Sequence, residues 1–160
     1  MRRRRLRINE RLADFPRQHD ALRVAMEAFG PDFEIKRFKA AYESREDLEA
    51  YNRVQTVERG LSRVQNYVAE MAIDGCQLAE LKRARLRNGE ANVAFATLAN
   101  AGVISKSLRG RLERAQKARS AIEHHYVGVP AGTVHRAAEL VRECSREFIG
   151  PYRDWIEKYL

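Results

Sequence analysis

The chain has 160 residues, 44% of them hydrophobic and 32% charged, enough to bury one sizeable core. Lysine and arginine number 30 against 22 aspartates and glutamates, a formal net charge of +8, so an anionic partner is favoured, with RNA or DNA the leading class. The two cysteines, Cys76 and Cys144, form no Cys-x-x-Cys pair and no zinc spacing, no apolar run approaches the roughly 18 residues of a membrane span, and no apolar stretch follows the N-terminal charges as a secretory signal requires. Each cysteine reads as a small core hydrophobe in a reducing compartment, and the expected location is the cytoplasm, with no membrane partner and no cofactor.

Five arginines fall within Met1–Arg7. Like charges at that density resist packing, so residues 1–16 read as a basic, solvated and partly disordered arm. The alternative is an electrostatic tether for nucleic acid or an acidic partner. From Arg17 to Phe29, the residues Ala21, Leu22, Val24, Ala25, Ala28 and Phe29 follow a helical spacing. Gly30-Pro31 breaks that helix. Phe33, Ile35 and Phe38 seed a short second one. Ser44 with Asp47 resembles a capping box opening a long helix, on which Tyr51, Val54, Val57, Leu61, Val64, Val68 and Met71 form an apolar stripe. Its continuation towards Arg87 is expected to kink at Gly75, and Asn88-Gly89 is a turn signal. A short helix should run from Ala91 through Ala99 and close at Asn100 or Gly102. Ser105 or Ser107 can cap the next helix, which passes Leu108, Leu112, Ala115 and Ala118 and ends at Gly128 and Pro130. Thr133 can cap a last long helix that buries Val134, Ala137, Ala138, Val141, Phe148 and Ile149, with a bend expected at Gly150-Pro151. No segment alternates with period two, and there is no internal repeat. The expected fold is all-α, an antiparallel helical bundle of about five helices, with residues 17–160 forming a single domain.

The densest group of chemically useful side chains is Arg119-Ser-Ala-Ile-Glu-His-His-Tyr126. Arginine forks two donors onto a phosphate, histidine moves protons near neutral pH, and tyrosine adds a phenolic oxygen. At about 100° per residue, Arg119 and Tyr126 share a helix face, Ser120 and His124 share another, and Arg119 lies roughly 140° from His124. One undistorted helix therefore does not aim Arg119 and His124 at one small group. Either the helix loosens near His124, or two copies meet across a two-fold axis and Arg119 of one faces His124 of the other. The chemistry that fits is RNA cleavage without metal: the ribose 2′-hydroxyl attacks the adjacent phosphorus, His124 transfers a proton, and Arg119 holds the phosphate. No acidic metal-binding cluster accompanies these residues. The same residues also have a plain structural reading. Arg119 can pair with Glu123 one turn away, His124 and His125 can be exposed near a helix C-terminus, and Tyr126 can be core.

Arg119, His124 and Tyr126 match Arg-x4-His-x-Tyr, and the chain here resembles the HEPN superfamily, most closely the HEPN toxins paired with a minimal nucleotidyltransferase antitoxin. The upstream stretch Phe95–Ser105 and the helix from Thr133 look similar too, so the resemblance covers roughly residues 50–155. It implies a homodimeric HEPN-like helical bundle whose two motifs line one cleft. It further implies a metal-independent endoribonuclease acting on transfer or messenger RNA as the toxin of a toxin–antitoxin system. The partner nucleotidyltransferase would add AMP to the motif tyrosine, here Tyr126, placing anionic bulk where the RNA phosphate must lie. Family members commonly carry Asn after the arginine, and this chain has Ser120, which has less reach and fewer donors. His125 also satisfies the broader superfamily pattern, but only His124 leaves Tyr126 at the right offset. The alternative function is a non-catalytic helical module that binds RNA, a nucleotide or a protein partner such as the nucleotidyltransferase.

Overall fold

The computed structural model describes residues 1–44, 46–81, 90–124 and 128–160. Every regular element among them is helical: α1 (Arg2–Glu27), α2 (Ile35–Glu43), α3 (Leu48–Leu78), α4 (Ala91–Asn100), α5 (Lys106–His124) and α6 (Ala131–Ile156), followed by a 3₁₀ turn, Glu157–Tyr159. There are thus six α-helices rather than about five, packed as a bundle. The Asn88-Gly89 turn and the approach to Arg87 lie outside the described residues. No helix among the described residues is long and apolar enough to cross a membrane.

α3 is the centre of the bundle and packs against α1, α2, α4, α5 and α6. Its stripe explains why: Val54 is 2% exposed and Val57, Leu61, Val64, Val68 and Met71 are fully buried. Tyr51, expected on the same stripe, is instead 46% exposed, because the first turn of α3 projects beyond the core. Asp47 alone caps α3, its carboxylate accepting the Ala50 N–H at 3.1 Å. The helix is continuous through Gly75 to Leu78. What Gly75 supplies is room: a Cβ there would lie 2.7 Å from the Tyr152 hydroxyl and 3.1 Å from Trp155 Cζ3. α6 therefore comes close enough for Tyr152 to donate to the Met71 carbonyl at 2.5 Å.

The N-terminal arm is not what the structure shows. Met1–Arg7 belongs to the start of α1, which continues through Pro16 to Glu27. Ile8 and Leu22 are fully buried and Phe15 nearly so, which docks the helix on α3. The repulsion among the arginines is relieved by one carboxylate. Asp74 on α3 lies 3.4 Å from Arg4, 2.6 Å from Arg7 and 3.0 Å from Arg11.

α2 is fixed by Phe38, which is fully buried with its ring 5.1 Å from Phe29, 5.3 Å from Phe33 and 5.8 Å from His135. α4 ends at Asn100, with Gly102 beyond it at φ +76°, a left-handed position that suits glycine. Ser105 opens α5, its hydroxyl accepting the Leu108 N–H at 3.0 Å. Thr133 does not cap α6. The helix starts two residues earlier, after Pro130, whose backbone is extended and whose carbonyl accepts the Thr133 N–H at 3.0 Å. α6 then continues through Gly150 and Pro151 to Ile156.

Candidate functional site

α5 carries Arg119, Ser120 and His124 on one uninterrupted helix that ends at His124. No loosening separates them, so the roughly 140° between Arg119 and His124 persists within one chain. Arg119 is largely buried, its side chain 18% accessible, and its Nη2 lies 2.8 Å from Glu123 one turn on. The structural reading of Arg119 as half of an i, i+4 ion pair is therefore realised. One donor remains over: Nε of Arg119 is buried and has no hydrogen-bond partner among the described residues. Ser120 is half-buried, and His124 is exposed. His125 and Tyr126 lie outside the described residues.

His124 opens onto a groove of about 1030 Å³. One wall comes from the end of α5, with Ile122, Glu123 and His124; Arg119 and Ser120 are not among the lining residues. Another comes from α3, with Tyr51, Gln55, Glu58, Arg59 and Ser62, and the end of α2 adds Tyr42. Tyr42 ties the walls together, its hydroxyl donating to the Val129 carbonyl in the connection between α5 and α6. Burial raises the Tyr42 phenol above its ordinary value, assisted by the nearby Glu58 carboxylate and by Tyr51. Burial alone raises the Glu58 carboxyl. Arg59 donates only a long hydrogen bond, 3.4 Å, to Gln55.

The groove residues of α3 escaped the sequence reading because each is an ordinary polar residue beside an apolar stripe. A signal was present all the same. Tyr51, Gln55, Glu58 and Ser62 recur every three or four residues, so they form a second, polar line on the same helix. The cysteines are buried, and burial pushes the Cys144 thiol up to about 11 and the Cys76 thiol up to about 12, so neither is poised as a nucleophile. Among the described residues no group of three His, Cys, Asp or Glu side chains is placed to hold a metal ion.

Comparison with protein-family models, with curated proteins and with solved structures found no match for this chain.

Proposed function

We propose that the chain is an endoribonuclease of the HEPN kind, the toxin of a toxin–antitoxin pair, cleaving transfer or messenger RNA through attack of the ribose 2′-hydroxyl without a metal. The observation that carries this reading is His124, exposed on the wall of a groove of about 1030 Å³, at the end of the helix that also carries Arg119. Because Arg119 and His124 diverge on one helix, the reading calls for a homodimer in which an HEPN-like antiparallel bundle from each copy contributes to one cleft. A minimal nucleotidyltransferase is the proposed antitoxin, with Tyr126 its acceptor for AMP.

A second reading is favoured by the ion pair between Arg119 and Glu123, in which Nη2 of the motif arginine already meets both carboxylate oxygens. On this view the helical domain binds RNA, a nucleotide or a protein partner and performs no chemistry.

Incubation of the purified chain with end-labelled RNA separates the two. The ribonuclease reading expects cleavage that falls at least about 100-fold in Arg119→Ala and in His124→Ala, with helical content unchanged. Full activity in both folded variants would sink the mechanism. Salt-sensitive binding without cleavage products would establish the binding module.

A further inference from the structure

Cleavage through the 2′-hydroxyl needs two proton transfers, one from the attacking oxygen and one to the leaving oxygen, and it needs a cation at the phosphate. His124 is a single proton-transfer group, and Arg119 is tied to Glu123 away from the groove wall. The groove itself supplies what is missing. Its charged and titratable lining residues are Tyr42, Tyr51, Glu58, Arg59, Glu123 and His124. Glu123 is engaged by Arg119. Glu58 has no ion-pair or hydrogen-bond partner among the described residues, and it is half-buried. Arg59 is exposed and meets no carboxylate among them. An unpaired carboxylate, an unpaired guanidinium and an exposed imidazole thus share one cleft in a single chain.

We propose that Glu58 is the general base, His124 the general acid and Arg59 the phosphate-holding cation of this groove, acting on single-stranded RNA; the assignment rests on the ribonuclease reading above. Glu58 accepts the 2′-hydroxyl proton as O2′ bonds to phosphorus. The P–O5′ bond breaks, its electron pair stays on O5′, and the His124 imidazolium donates the proton that makes the 5′-hydroxyl. The other product is the 2′,3′-cyclic phosphate. One proton is taken and one is given, and exchange with water resets both groups. Arg59 meets the non-bridging oxygens, where charge builds. Burial of Glu58 supports its role, since a carboxyl whose pKa is raised by burial is, when ionised, a stronger base than an exposed one. Exposed Tyr51 at the rim offers a face on which a base can stack.

The test is the pH profile of kcat/KM on a single-stranded RNA oligonucleotide for the unmodified chain, Glu58→Gln, Arg59→Ala and His124→Ala, each checked for helical content. The rate of the unmodified chain should rise with pH as Glu58 loses its proton. Glu58→Gln should lower the rate by about 10²–10⁴-fold and abolish that rise. His124→Ala should lower the rate by at least about 100-fold across the pH range. Arg59→Ala should weaken RNA binding and make the salt dependence shallower, by about 0.7 in the logarithmic slope. A Glu58→Gln chain with the full rate and an unchanged pH profile, beside an inactive His124→Ala, overturns this assignment and leaves the ribonuclease reading standing. Unchanged affinity and salt slope in Arg59→Ala overturn the role of Arg59. An unmodified chain that cuts no RNA overturns the assignment together with the reading on which it rests.

Discussion

The two ends of α3 treat charge in opposite ways. Towards the C-terminal end, Asp74 is almost buried and collects Arg4, Arg7 and Arg11. The Asp74 carboxylate, by hydrogen bond first and charge second, raises the Arg7 guanidinium above its ordinary value. Tyr152 and Trp155 close over Gly75 beside it. Towards the N-terminal end, Glu58 is half-buried with no cation and Arg59 has no carboxylate among the described residues, and Tyr51 and Leu48 are 46% and 72% exposed. One end spends its polar groups on each other and is rigidly packed. The other leaves them unspent beside a groove. The contrast sets a packed, ion-paired end of the helix against an end whose polar groups stay open to the groove.

That contrast can be broken first at its stronger end. Asp74→Ala should cost about 2–3 kcal/mol in urea denaturation, because it leaves three neighbouring guanidinium groups without their common counter-charge; the partial exposure of Arg7 keeps the loss below that of a fully buried pair. An unchanged midpoint would mean that α1 docks through Ile8, Phe15 and Leu22 alone. At the groove end, Tyr42→Phe removes one hydrogen bond, that to the Val129 carbonyl, and should cost about 1 kcal/mol by the same measurement. The smallest effect should have the opposite sign. Burial raises the Glu58 pKa in the folded chain, so its contribution to stability is complete below the unfolded value, about 4.3, and is lost as pH rises through the folded value. Ionised Glu58 therefore weakens the fold at neutral pH. Glu58→Gln should melt at a higher temperature than the unmodified chain near pH 7 and at the same temperature near pH 3, a difference that thermal melts across pH would reveal. A lower melting temperature at neutral pH would show that Glu58 has a stabilising partner.

Local pattern carried much of the fold. The stripe from Val54 to Met71, the stop at Gly30-Pro31 and the Ser105 cap depend on neighbours within a few turns, and they are legible for that reason. The N-terminal helix was not, because the carboxylate that neutralises its arginines lies more than sixty residues away, and composition registers their mutual repulsion without its remedy. The room that Gly75 gives α6 was hidden for a related cause. A helix-interior glycine looks like a weak point until the helix packed against it is known. At the candidate site, the separation of Arg119 and His124 and the pairing of Arg119 with Glu123 followed from helix periodicity. Glu58 and Arg59 did not, since what sets them apart is the arrival of α2 and the end of α5 over that part of α3.

The ion pairing at Asp74 also changes how a net charge of +8 should be understood. Far from the protein the full excess is felt and speeds the approach of any polyanion. At contact, only guanidinium and ammonium groups free to meet phosphates release counterions, and Arg4, Arg7 and Arg11 are already committed. Arg114 and Lys117 are exposed, form no ion pair among the described residues, and stand three and seven residues apart from one another and from His124 along α5. Arg114 and Lys117 thus carry free positive charge along that helix towards His124, while at the start of the chain Arg4 and Arg7 are held by Asp74.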